Sequence, residues 1–235
     1  LERPGPLAFA CFSEADSAFT MSLADCAGVT GISSETHRVY TFALESTRGE
    51  ISVIDWTAVR AVDSDRRVPG FTFYRVGEAP TAIVIPETDS RMLFVANYGS
   101  FSVQSIETAS LVPDAVQDDA DVLHPSTVTL PAGPTDLEYL SVGGAAWLFA
   151  TLPDASSIAQ IPVNADGSLG APTYLATSTT LPAQVAASTE PDYIRICPAP
   201  PASYVRAATV APRTPRSLGA ASRPNKLAVI ERAGG

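Results

Sequence analysis

The 235-residue sequence predicts an all-β fold of short antiparallel strands, and three observations carry that expectation. The first is a stretch at residues 76–108, VGEAPTAIVIPETDSRMLFVANYGSFSVQSIET, in which apolar runs alternate with turn residues. Runs of this kind, bounded by Pro, Gly, Asn, Asp and Ser, read as strands joined by tight turns. The second is that the stretch recurs. Pro134 matches Pro80, Leu148 matches Leu93 and Ile161 matches Ile106, at offsets of 54, 55 and 55 residues. The third is that weaker copies flank these two. Tyr40 and Ile54 fall where Leu93 and Ile106 stand, at offsets of 53 and 52, and Pro215 and Leu227 restart the pattern.

Taken in order, residues 1–26 hold two strand-like runs, Leu7–Phe12 and Phe19–Leu23, around a polar turn, and residues 27–36 form a linker. Residues 38–56 read as a hairpin whose turn, Thr47-Arg48-Gly49-Glu50, carries the glycine that such turns favour. Phe71–Val76 is a short strand leading into the central stretch, where Ala82–Ile85, Met92–Ala96 and a run ending at Ile106 are the strands. A loop from Val112 to His124 precedes the second full copy, in which Gly143-Gly144 is a hairpin turn. Asn164-Ala165-Asp166-Gly167 is a further turn, and Ala171–Thr177 an outer strand. Residues 181–214 carry Pro182, Pro191, Pro198, Pro200, Pro201 and Pro212. Proline lacks the ladder donor, so central strands are not expected there. The last copy offers two strands, Arg216–Ala220 and Leu227–Glu231.

Partial copies near 30–76, 77–130, 131–177 and 215–235, with an irregular insert at 181–214, describe one domain over 1–235. A unit of about four strands cannot cover both its faces alone; stacking units around an axis gives a β-propeller of four-stranded antiparallel blades. Val76, Gly77, Pro80, Pro86, Leu93-Phe94-Val95-Ala96-Asn97 and Ile106-Glu107-Thr108 resemble the YVTN-type propeller repeat. Phe94 and Ala96 stand for the tyrosine and threonine of the family tetrad, and residues 148–151 and 227–230 are weaker versions. The resemblance implies an exported or cell-surface propeller and brings no catalytic residues with it. Length allows about five blades if Leu7–Leu23 joins the last copy into one blade. The alternative expectation is a larger ring whose further blades follow Gly235, because Ala233-Gly234-Gly235 matches a hairpin turn.

The net charge of −10 is unevenly spread. Residues 1–194 hold 8 Arg against 24 Asp and Glu, whereas residues 195–235 hold 6 Arg and 1 Lys against one Glu. An acidic body argues against nucleic acid as a partner, since phosphate binding needs cations. The basic end is suited to docking on an acidic surface. No apolar stretch approaches the roughly 18 residues of a membrane span, so membrane association is expected only through an anchor or a partner. The chain opens without a basic and then apolar leader, so any signal peptide is expected to be already removed. Cys11 and Cys26 flank the N-terminal hairpin, and a bridge between them would contribute roughly 3 kcal/mol in the loop-entropy view. Cys197 would then be unpaired within the chain. With the export that the resemblance implies, the protein is expected outside the cytoplasm: periplasmic, at the cell surface or secreted.

Chemistry-bearing constellations are few. His37 and His124 lack a second ligand at useful spacing, and no G-x-S-x-G elbow supports a Ser–His–Asp triad. Asp118, Asp119 and Asp121, beside Asp114, are a weak calcium candidate without the EF-hand order. No other cofactor, and no tightly bound transition metal, is expected. Trp147 reads as core, Trp56 as partly exposed, and Asn97 as a strand-end amide that satisfies the following turn. The function expected is a non-enzymatic interaction or scaffold module with protein partners. A subunit of a larger membrane-associated or redox assembly, and a lactonase-like propeller hydrolase, are the alternatives.

Overall fold

In the computed structural model, strand pairing in the second and third sheets follows the repeat. The structure describes residues 4–13, 18–21, 37–62, 73–86, 90–112, 126–176, 182–187, 193–198 and 228–231. The first sheet contains β1 (Pro4–Ser13), β2 (Ala18–Met21), β3 (His37–Glu45), β4 (Glu50–Asp55), β5 (Arg60–Ala61) and β6 (Phe73–Arg75). Its order is β2-β1-β3-β4-β5, with β6 also on β4. The second sheet is a meander of β7 (Pro80–Val84), β8 (Met92–Asn97), β9 (Ser102–Glu107) and β10 (Ser126–Thr129). The third repeats it with β11 (Asp136–Val142), β12 (Ala145–Leu152), β13 (Ser157–Val163) and β14 (Thr173–Ala176). The last has three strands, β15 (Pro182–Ala187), β16 (Tyr193–Pro198) and β17 (Ala228–Glu231). All ladders are antiparallel.

The offsets read from sequence are pairing registers. Leu93 stands opposite Ile106, and Leu148 opposite Ile161, each 55 residues on. On the first strand of each copy the offset is 54: Ile83 faces Val95, and Leu137 faces Ala150. The difference of one residue falls in the connection between the two strands, where nine residues separate Val84 from Phe94 and ten separate Glu138 from Phe149.

Side-chain alternation sends successive residues to opposite faces, and both faces of the second sheet are covered. Leu93, Val95 and Ile106 meet Tyr40, Phe42, Leu44, Ile51 and Val53 of the first sheet. Phe94, Ala96 and Val103 meet Leu137, Leu148, Ala150 and Ile161 of the third. Phe12, Phe19, Tyr40 and Phe42 form edge-on ring contacts at 5.0–6.2 Å, an arrangement that favours aromatic rings. Phe149 and Ile158 look out from the far face of the third sheet, with Trp147 half-buried beside them. β15 packs on β11 and β12. Face-to-face stacking of consecutive four-stranded meanders is the propeller blade arrangement.

Several expectations change. The N-terminal hairpin joins the first sheet, β1 lying along β3 from Pro4 opposite Glu45 to Ser13 opposite His37, and not the last copy. The first copy lacked an innermost strand, and the nearest segment in sequence fills it. Residues 182–198 hold two strands, and β16 is central in its sheet. Pro182 and Pro198 sit at strand ends, where a missing ladder donor is tolerated. The first copy is also out of register by one: Tyr40 faces Asp55, and Ile54 faces Thr41. Arg216–Ala220 lies outside the described residues, while Leu227–Glu231 holds β17.

Candidate binding surfaces

Two surfaces stand at opposite ends of the sheet stack. At one end, the turns that precede β4, β9 and β13 are laced together. Val76 N–H donates to Gly49, Gly99 N–H to Glu78, Tyr98 N–H to Ala79 and Leu130 N–H to Phe101, all at 2.7–3.1 Å. Glu78 N–H donates to the Ser100 hydroxyl at 2.6 Å. The Tyr98 hydroxyl crosses to the next blade and donates to Asp154 at 3.0 Å, which raises the phenol's pKa above its ordinary value. Gly133 lies under the Tyr98 ring so closely that a Cβ there would stand 2.4 Å from it.

The last residue of each turn is left-handed: Gly49 (φ 67°), Phe101 (φ 51°) and Ser156 (φ 46°). Glycine takes that conformation freely, while an L-residue with a Cβ pays about 1–2 kcal/mol for it. Phe101 nevertheless keeps 46% of its surface in water. Tyr98, Glu78 and Asp154 are exposed around it, so this rim is an aromatic pair bordered by carboxylates.

At the other end, two adjoining clefts of about 300 and 240 Å³ run between the second and third sheets. Both are lined by Arg91, Met92, Ala165 and Gly167. The wall formed by residues 164–168 is braced by its own side chains. Asp166 accepts from the Ser168 amide at 3.0 Å and its hydroxyl at 2.7 Å, and these bonds hold the Asp166 carboxyl below its ordinary pKa. Asn164 donates to the Ser168 hydroxyl at 2.9 Å, and Leu169 N–H donates to Ser126 at 3.0 Å. Gly167 (φ 82°) touches Met92 where any Cβ would collide with the thioether. Glu107 adds a second carboxylate, and the Phe94–Tyr139 pair, stacked at 5.9 Å, lies at the inner end. Apolar floor, mixed-charge rim: such a groove suits a side chain with an apolar body and a polar tip.

The sequence-stated candidates fall elsewhere or outside what is described. Asp118, Asp119, Asp121, His124 and Cys26 lie outside the described residues. His37 opens β3 opposite Ser13. Among the described residues no three His, Cys, Asp or Glu side chains gather as a metal-holding set. Cys11 is buried and disulfide-bonded; the side chains of the other two cysteines lie outside the described residues. Asn97 does not serve the following turn's amides. Its side-chain amide donates to Gln104 Oε1 at 3.0 Å and to the Ser102 hydroxyl at 3.4 Å, inside the sheet. Trp56 is half in solvent, as expected, with its indole N–H donated to the Thr41 hydroxyl. Sequence reasoning did not find Arg91, Phe101 or the groove. The one signal present was the Asn164–Gly167 turn.

No protein-family model and no curated protein matches the chain. Solved structures similar to parts of it include a functionally unknown protein from Desulfotomaculum acetoxidans, at 15% identity and TM-score 0.49, covering 68% of this chain and 47% of that one. A candidate 6-phosphogluconolactonase from Bacteroides uniformis gives 15%, 0.46, 68% and 47%. The dihydro-heme d1 dehydrogenase NirN gives 16%, 0.43, 69% and 30%. The matched parts thus span less than half of each of those chains. Similarity at this level carries no functional weight, and the blade arrangement rests on the chain's own sheet order and stacking.

Proposed function

We propose that this chain is an extracytoplasmic recognition module that binds protein partners through the rim of turns around Tyr98 and Phe101. The observation that carries the reading is Phe101: a large aromatic side chain, nearly half in water, held in a left-handed backbone that glycine occupies in the first sheet. Strain of this kind persists where function requires the side chain, and Tyr and Phe on rigid turns are efficient contact residues. The Cys11 disulfide supports an oxidising compartment.

The test is affinity capture from native membrane extract and culture medium. It compares the wild-type chain, a Tyr98→Ser/Phe101→Ser variant and an Asp166→Asn groove variant, each checked for an intact unfolding transition. At least one protein should be held by wild type and the groove variant and lost by the rim variant. Identical capture by all three would overturn the assignment to the rim.

A further inference from the structure

The two clefts between the second and third sheets differ in character. The larger, about 300 Å³, is polar: Arg91, Glu107 and Asp166 border it, together with the hydroxyls of Ser105, Ser126 and Ser168. The smaller, about 240 Å³, is walled largely by Pro86, Phe94, Tyr139, Ala146 and Val163. Because Arg91, Met92, Ala165 and Gly167 line both, the two are compartments of one groove. Its size falls within the range of about 300–1,000 Å³ usual for small-molecule sites.

The fold places the charges. Met92 stands opposite Glu107 on neighbouring strands, so their side chains share a face. From the other sheet Gly167 closes on the Met92 thioether, where a Cβ would stand 2.5 Å away, and Asp166 precedes it in the turn. The polar compartment is thus bordered by one carboxylate from each sheet. The two bonds from Ser168 favour the charged form of Asp166. Arg91 precedes Met92 and reaches both compartments. A guanidinium has five donors, so the interaction that Arg91 already makes leaves others for a ligand.

This division narrows the ligand. A phosphate or other simple anion would meet two carboxylates against one guanidinium. A wholly apolar molecule would leave the charged groups of the polar compartment without partners. A long peptide carries its ammonium and its carboxylate at opposite ends. A molecule with both groups on one carbon and an apolar body beyond them satisfies the two compartments together. We propose that the groove binds a free α-amino acid with a large apolar side chain. Glu107 and Asp166 hold its ammonium, Arg91 holds its carboxylate, and its side chain lies in the compartment walled by Phe94 and Tyr139.

The chain has two methionines, Met21 and Met92, so methyl-labelled methionine gives a two-signal NMR spectrum with one reporter in the groove. Titration with L-phenylalanine to millimolar concentration should move the Met92 methyl, assigned with Met92→Leu, and leave Met21 in place. N-acetyl-L-phenylalanine lacks the ammonium and L-phenylalanine amide lacks the carboxylate; each should bind about tenfold more weakly or worse. Arg91→Gln and Asp166→Asn, both at exposed positions, should each weaken L-phenylalanine by a similar factor while keeping the wild-type melt. No shift of the Met92 methyl with L-phenylalanine, L-leucine or L-methionine overturns the proposal. So does either derivative binding as tightly as the free amino acid, or binding that either substitution leaves unchanged. None of these results bears on the rim, which lies at the other end and is tested by its own variants.

Discussion

Gly77 and Gly143 separate two ways in which a glycine can be required, and substituting each by alanine tests the packing between turn and sheet. Gly77 donates its N–H to Gln104 at 3.1 Å, and the same Gln104 oxygen accepts from Asn97 at 3.0 Å. A Cβ on Gly77 would stand 2.6 Å from Asn97 Cγ, and Asn97 is fully buried. The amide cannot swing into solvent, so it must shift within the sheet. Overpacking costs about 1–3 kcal/mol, and each hydrogen bond disturbed adds about 1 kcal/mol. Gly77→Ala should therefore destabilise by about 3 kcal/mol. In a chain of this size that lowers Tm by about 6–12 °C.

Gly143 is the contrast. Its φ is 60°, yet a Cβ there meets nothing within 4 Å. Gly143→Ala carries only the left-handed backbone cost of about 1 kcal/mol, or about 2–4 °C. Urea unfolding of the three proteins, followed by tryptophan fluorescence, gives the comparison. If Gly77→Ala costs no more than Gly143→Ala, the reasoning that Asn97 and Gln104 form a rigid clasp under the turn is wrong.

Three more outcomes are expected. Mass spectrometry of thiol-blocked, non-reduced protein should yield a linked Cys11–Cys26 peptide pair; a Cys11–Cys197 pair instead would refute the hairpin assignment. Spectrophotometric titration should find Tyr98 ionising above the ordinary phenol range, because Asp154 holds its proton. A raised folded pKa means the bond's contribution is full below pH 10 and is lost as pH rises through the folded pKa; Asp154→Asn should bring Tyr98 back toward pH 10. Asp166 has the opposite sign. Its pKa is lowered by Ser168, so its contribution is present above pH 4 and fades as pH falls through the folded value. Carbon-detected NMR of the carboxyl should show that low midpoint, and Ser168→Ala should raise it.

Much of the architecture was legible because the second and third sheets use one pairing scheme, and a pairing scheme leaves fixed offsets in sequence. Leu93 with Ile106 and Leu148 with Ile161 are the same ladder rung written twice. The first sheet was harder for a physical reason. Tyr40 through Glu45 are all buried, so both faces of the strand are covered, and matching it by its apolar residues alone does not fix the rung. Tyr40 was accordingly matched one rung away from its true level. The proline-rich segment failed differently. Counting prolines does not show where in a strand they fall, and Pro182 and Pro198 fall at the ends.

The candidate surfaces were hidden for a reason that the repeat itself explains. Gly49, Phe101 and Ser156 occupy one backbone position in three successive turns, so the fold demands left-handed geometry there and tolerates three different residues. A search for the repeat weights what the copies share, and the shared part is the buried ladder. What distinguishes one copy from another is pushed into the turns, where Phe101 replaces glycine at a cost to the backbone. The groove follows the same logic, since Arg91, Glu107 and Asp166 come from two different copies and meet only when the sheets stack. In such a chain the residues that match the repeat build the frame. Recognition is to be sought where equivalent positions differ, and above all where the difference is energetically unfavourable to the fold.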